Sequence, residues 1–315
     1  YGAFDVLAEN AQKDLRDIID NVSKGENPKG SIAEKIAMFY NIGMDSVRLQ
    51  EQGAAPLMPY LEKINGIKTR EDVWNALLEM HRSGGFALFA VFGEADTDDA
   101  NMCIAWAYQS GLGLGDRDYY LTDEGNNVNI RKGYVDLMTK EFGMAGFDKM
   151  TGIKPDELAK MVMSFETRLA KAQNTRLENR DPQATFNRFT VDEAMKLTPN
   201  INWKNYFETM GILDGMQSFN IAQPKYFKEV NATLGDTDIN VFKAYFAWNA
   251  INGAASYLSD DFIETQFDFY GRLLSGREQN RPRWKRVTAT VDGAMGEALG
   301  QLYVEKYFPR SEERR

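Results

Sequence analysis

For acid–base, nucleophilic or metal chemistry the chain offers one histidine, His81, and one cysteine, Cys103, among 46 Asp and Glu residues. A Ser-His-Asp triad or a Cys-His pair needs a histidine base, and zinc sites usually take two or more histidine or cysteine ligands. With His81 alone, no His-Glu-x-x-His helix exists within these residues. His81 falls near the C-terminal end of a predicted helix, where a donor or cation satisfies terminal carbonyls, and is read as structural. Cys103 lies between Met102 and Ile104 in an apolar run and is read as a small buried hydrophobe.

Three segments imitate sites. Gly111-Leu-Gly-Leu-Gly115 has the glycines of a phosphate cradle but is followed by Asp116 and Asp118, which repel phosphate, and lacks the usual lysine. Asp96-Thr-Asp-Asp-Ala-Asn101 hints at a calcium loop, yet has no glycine at the sixth place and Ala107 at the twelfth. Both are read as turns. Arg281-Pro-Arg-Trp-Lys-Arg286 joins four cations to an aromatic, a pattern that can stack bases. On a chain of net charge −9 it is expected instead to open a helix and pair with carboxylates, and nucleic acid is excluded as main partner.

Helices must position these residues. Phe4, Leu7, Ala11, Leu15, Ile18, Ile19 and Val22 recur at helical spacing. Capping boxes are predicted at Ser31/Glu34, Thr69/Asp72 and Thr190/Glu193. Gly84-Gly85 should end the helix after Thr69, and Pro155 should open one through Lys171. Further helices are expected at 239–257, 262–274 and about 283–307. Phe86–Phe92 and Met102–Tyr108 are β-like runs, read as a small hairpin. The fold class is mainly α: one large multi-helix domain over 1–315 with a small β-hairpin near 86–108. Its 43% apolar and 26% charged residues suit a globular chain that needs no disulfide or metal to fold. The longest apolar stretch, Phe86–Phe92, is too short for a membrane span. Tyr1 and the abrupt Ser311-Glu-Glu-Arg-Arg315 read as cut ends.

Several segments together carry a resemblance. Tyr1-Gly-Ala-Phe-Asp-Val-Leu7, Gly111 to Tyr120, Arg283-Trp284 and Gly300 to Phe308 stand in order, with Ala55-Pro-Leu57, Glu178 to Pro182 and Tyr257 to Asp260 between them. The set resembles the N-terminal region of the neprilysin and endothelin-converting-enzyme family of zinc metallopeptidases, bacterial oligopeptidase members included. The resemblance implies a helical domain that closes over a thermolysin-like catalytic domain, restricting substrates to peptides. The catalytic domain, with zinc on a His-Glu-x-x-His helix and a downstream Glu, is expected beyond 315. The parent is then a zinc metalloendopeptidase and a hydrolase; this chain alone has no catalytic residues, binds no metal and is expected inactive. Its partners are its own C-terminal catalytic domain and peptide substrates.

The resemblance also singles out Phe4 and Asp5, whose counterparts help line a subsite past the scissile bond; the other reading of Phe4 is the first core residue of its helix. Ala8 stands where an arginine is common. Gly115 replaces a usual proline, a change expected to keep the bend. Animal members carry cysteines where this chain has Gly43 and Val287, which points to a bacterial member, and kinship implies an exported protein, periplasmic, cell-surface or secreted. The rival reading is a stand-alone helical module that binds a peptide or protein without catalysis.

Overall fold

The computed structural model describes residues 2–308. In chain order the first helices are α1 (Ala3–Lys24), α2 (Ile32–Met44), α3 (Ser46–Gln52), α4 (Met58–Asn65) and α5 (Arg70–Arg82). After strands β1 (Phe89–Ala95) and β2 (Cys103–Gln109) come α6 (Asp118–Leu121), α7 (Asn127–Met144), α8 (Phe147–Thr151) and α9 (Pro155–Ala172). Strand β3 (Arg188–Phe189) precedes α10 (Val191–Leu197) and α11 (Trp203–Thr209). Strand β4 (Phe219–Ile221) precedes α12 (Pro224–Asp236), α13 (Ile239–Ala254), α14 (Asp260–Gln266) and α15 (Arg283–Tyr307). The chain is mainly α with a small sheet.

Capping chemistry sets several boundaries. Thr69 with Asp72 and Thr190 with Glu193 form complete capping boxes, each pair satisfying two orphan N–H groups. Ser31 accepts from the Glu34 N–H, but the Glu34 carboxylate takes the N–H of Gly30 rather than that of Ser31. That box is half of what the spacing predicts. Pro155 opens α9, and Gly84, in the left-handed region at φ 85°, follows the end of α5.

The hairpin forms, shifted toward the C-terminus. Leu88 has a positive φ of 62°, and its N–H and C=O are held by the hydroxyls of Tyr245 and Tyr226. The backbone therefore turns before it extends, and β1 starts at Phe89. Nor is the hairpin isolated. The strand order is β1-β2-β4-β3, with β2 and β4 parallel and the other pairs antiparallel.

The main core centres on α9 and α13. Tyr134 and Phe142 of α7, Phe165 and Leu169 of α9, and Tyr245 and Trp248 of α13 are all buried. Helix α13 is buried nearly all round, the pattern of an interior helix. At roughly 2 kcal/mol or more per buried large apolar side chain, such residues are the main driving force for folding. A second, smaller core joins α1, α2 and α15 through Ile18, Ile19, Ile36, Tyr40, Val291 and Leu299.

Three helical expectations need correction. The apolar stripe of α1 continues to Phe4, but Phe4 is 88% exposed and Leu7 is 63% exposed, because no described element covers the first turns. Phe4 is not a core residue. The helix expected over 262–274 is α only to Gln266 and continues as a π-helix, Phe267–Leu273. There the Phe267 ring folds onto Gly271, where an added Cβ would lie 2.2 Å from the ring. Finally, α13 ends at Ala254, and Ala255–Tyr257 is a 3-10 turn. Helix α15 runs as expected but is kinked at Met295, whose φ and ψ are −138° and 29°.

Candidate functional site

His81, on the last turn of α5, is buried with both ring nitrogens engaged. Nδ1 is 2.9 Å from the Tyr206 hydroxyl and Nε2 is 2.9 Å from the Ala87 carbonyl. Since the carbonyl only accepts, Nε2 carries the proton and Nδ1 accepts from Tyr206. Burial lowers its pKa, so the ring is neutral near pH 7. The structural reading of His81 holds, although its donor satisfies the loop at Ala87 rather than a carbonyl of its own helix. Cys103 is exposed, opposite Ala95 at the turn end of the hairpin. Reading it as buried took its apolar neighbours as a guide, but Met102 beside it is itself exposed.

The glycine loop serves the core. Gly111 has a φ of 86°, and a Cβ there would meet the Tyr245 hydroxyl at 2.6 Å and the Leu88 backbone nitrogen at 2.8 Å. A Cβ on Gly113 would lie 1.8 Å from the Tyr134 hydroxyl. The loop closes over a buried network: Leu114 N–H donates to the Tyr120 hydroxyl, which donates to Glu166 at 2.6 Å, and Tyr134 donates to the same carboxylate. Trp248 donates to Tyr134 at 2.6 Å. Burial pushes Glu166 up to about 7 despite these hydrogen bonds. Gly115 has a φ of 76°, which proline cannot adopt, so this turn is not the bend a Leu-Gly-Leu-Pro sequence would make.

The Asp96 turn is closed from within the chain. Both Asp96 oxygens take Arg188, and the Asp98 N–H together with that guanidinium holds the Asp96 carboxyl below its usual range. Among the described residues no group of three or more His, Cys, Asp or Glu is placed to hold a metal. In the basic segment Arg283 pairs with Asp260, as expected, and Arg16 stacks on Trp284 at 4.2 Å. Phe4 and Asp5 lie together on the first turn of α1. Asp5 accepts the Gly2 N–H at 2.7 Å, leaving Phe4 open to solvent.

Two hollows that share Tyr257 were not visible in the sequence. One, of about 680 Å³, lies between α4, α5 and α13, with Ile64, Met80 and Ala250 in its wall and the Lys63–Glu79 ion pair among its lining residues. The other, of about 750 Å³, is bounded by α2 and α15, with Ile42, Arg286, Val287 and Gly293 in its lining. Both are apolar with a few polar groups, suited to binding rather than bond chemistry.

Compared with known proteins, residues 1–315 match the N-terminal model of "Peptidase family M13" along their whole length. The chain belongs to peptidase family M13. Mouse endothelin-converting enzyme 1 is 26% identical over 322 residues, covering 98% of this chain and 40% of that protein. The human enzyme is 25% identical over the same span. Among solved M13 relatives, the Mycobacterium tuberculosis zinc metalloprotease Zmp1 in its open state superposes with a TM-score of 0.89 at 26% identity. That match covers 100% of this chain and 48% of the other. PepO of Lactobacillus rhamnosis shares the fold, with a TM-score of 0.78 at 18% identity. The chain thus spans less than half the length of these relatives.

The M13 resemblance marked Gly43 and Val287 as positions of cysteines in animal members. The structure brings the two together: a Cβ on Gly43 would lie 3.5 Å from that of Val287.

Proposed function

We propose that residues 1–315 form the substrate-enclosing helical domain of a bacterial zinc metalloendopeptidase, working with a C-terminal catalytic domain that carries the zinc ligands. The observation that carries this reading is the M13 match over the whole chain, joined to a TM-score of 0.89 with a zinc metalloprotease about twice as long. In this reading the present half shapes access and the other half performs hydrolysis.

Within that reading Phe4 and Asp5 line a peptide subsite. Support comes from the family motif and from the 88% exposure of Phe4, a large ring left available for contact. Helix capping by Asp5 would set the direction in which its neighbour is presented. Export from the cell is part of the same proposal and rests on kinship alone.

The experiment is hydrolysis of a mixed pool of short peptides by the full gene product containing these residues, loaded with zinc. Cleavage that a chelator abolishes and zinc restores is expected. Failure to cut any peptide in the pool would sink the enzymatic reading and favour the binding module.

A further inference from the structure

Arg286 differs from every other cation of its segment that the fold ties down. Arg283, one turn earlier on α15, is paired with Asp260 and donates to the Gly43 carbonyl. Arg286 donates only its Nε, to the Arg281 carbonyl at 3.1 Å, and forms no ion pair among the described residues. Its guanidinium is partly buried and lines the α2–α15 hollow beside Ile42, Val287 and Phe39. Burial and the like charge of Arg283 both disfavour its charge, while Asp260 and Glu264 favour it without reaching it. A partly desolvated guanidinium with free Nη donors, set in an apolar wall, is complementary to a carboxylate attached to an apolar body.

We propose that the α2–α15 groove binds a peptide segment that carries a glutamate or aspartate next to a bulky apolar residue. The carboxylate pairs with the Nη groups of Arg286, and the apolar side chain enters the hollow over Val287 and Ile42. The hollow is open and adjoins a second one at Tyr257, a shape that suits an extended chain better than a compact metabolite. Choosing a peptide over another carboxylate-bearing ligand rests on the peptidase reading above.

The test is direct binding to the 315-residue chain, measured by isothermal titration with two probes. These are N-acetylated, C-amidated pentapeptides Ala-Leu-Glu-Leu-Ala and Ala-Leu-Gln-Leu-Ala. The glutamate peptide is expected to bind on the order of 10-fold more tightly, the size of one charge-assisted hydrogen-bonded pair. Arg286→Gln should abolish that preference. Gly293→Leu should weaken both peptides, since a Cβ at Gly293 meets no atom within 4 Å and a longer side chain is free to fill the groove. Matching circular dichroism spectra would show that both variants fold. Equal affinity for the two peptides, no binding at millimolar concentration, or a preference that survives Arg286→Gln would overturn the proposal. So would self-association that Arg286→Gln abolishes, which would assign the groove to a second copy. None of these results bears on hydrolysis by the longer gene product, so the two readings fail separately.

Discussion

Two buried carboxyls set the chain's response to pH. Glu141 is fully buried, and burial lifts it to about 8 against the opposing pull of the Gln266 side chain. Glu166 is lifted to about 7. Both lie above the usual value of about 4.3 for a glutamate in an unfolded chain. Between those limits the folded state holds protons that the unfolded chain has released, so stability is lost as pH rises toward 8. His81 works in the opposite direction. Its lowered value makes the folded state less stable as pH falls below about 6.5, the unfolded value. The window from about 6.5 to 8 therefore isolates the glutamates. In urea melts, the advantage of Glu141→Gln over the parent chain should grow by about 2 kcal/mol between pH 6.5 and pH 8.5. Parallel pH profiles for the two proteins would contradict this account. Gly113→Ala, which forces a Cβ against the Tyr134 hydroxyl beside Glu166, should cost about 3 kcal/mol or more in a thermal melt. A change under about 0.5 kcal/mol, the range of neutral surface substitutions, would show that the loop yields freely.

At the scale of elements, the segments legible in sequence were those whose boundaries depend on local chemistry. Thr69/Asp72, Thr190/Glu193 and Pro155 start helices where they stand, since a cap needs only residues within one turn. The start of β1 was not legible, because it depends on Tyr226 and Tyr245, more than a hundred residues away, gripping Leu88. The π-helix after α14 likewise sits in long-range packing, as the Phe269 ring lies tilted against Tyr134 with centroids 5.6 Å apart. The two hollows were hidden for the same reason: their walls come from helices distant in sequence. The family resemblance named Gly43 and Val287 as cysteine positions of animal members without pairing them, and α2 lies against α15 there. The Cβ separation of 3.5 Å falls in the range that disulfides span. Gly43→Cys combined with Val287→Cys should form a disulfide in air, seen as a mobility shift that reductant reverses. Its melting temperature should rise when oxidised, through an entropic gain of about 2–4 kcal/mol. Two free thiols after oxidation would mean the helices are set differently.

The whole molecule is a large helical body with a small satellite core of α1, α2 and α15, and apolar side chains at the start of α1 left uncovered. Phe4, Val6 and Leu7 are exposed together on the first turns of α1, an apolar surface open to contact. The proposed role is enclosure: this half limits which chains reach the catalytic half. The most direct measurement is cleavage by the zinc-loaded full gene product across a ladder running from short peptides to a reduced, carboxymethylated protein. Enclosure predicts that short peptides are cut and that the long unfolded chain survives, although it contains the same cleavable bonds. Equal cleavage along the whole ladder would contradict the account.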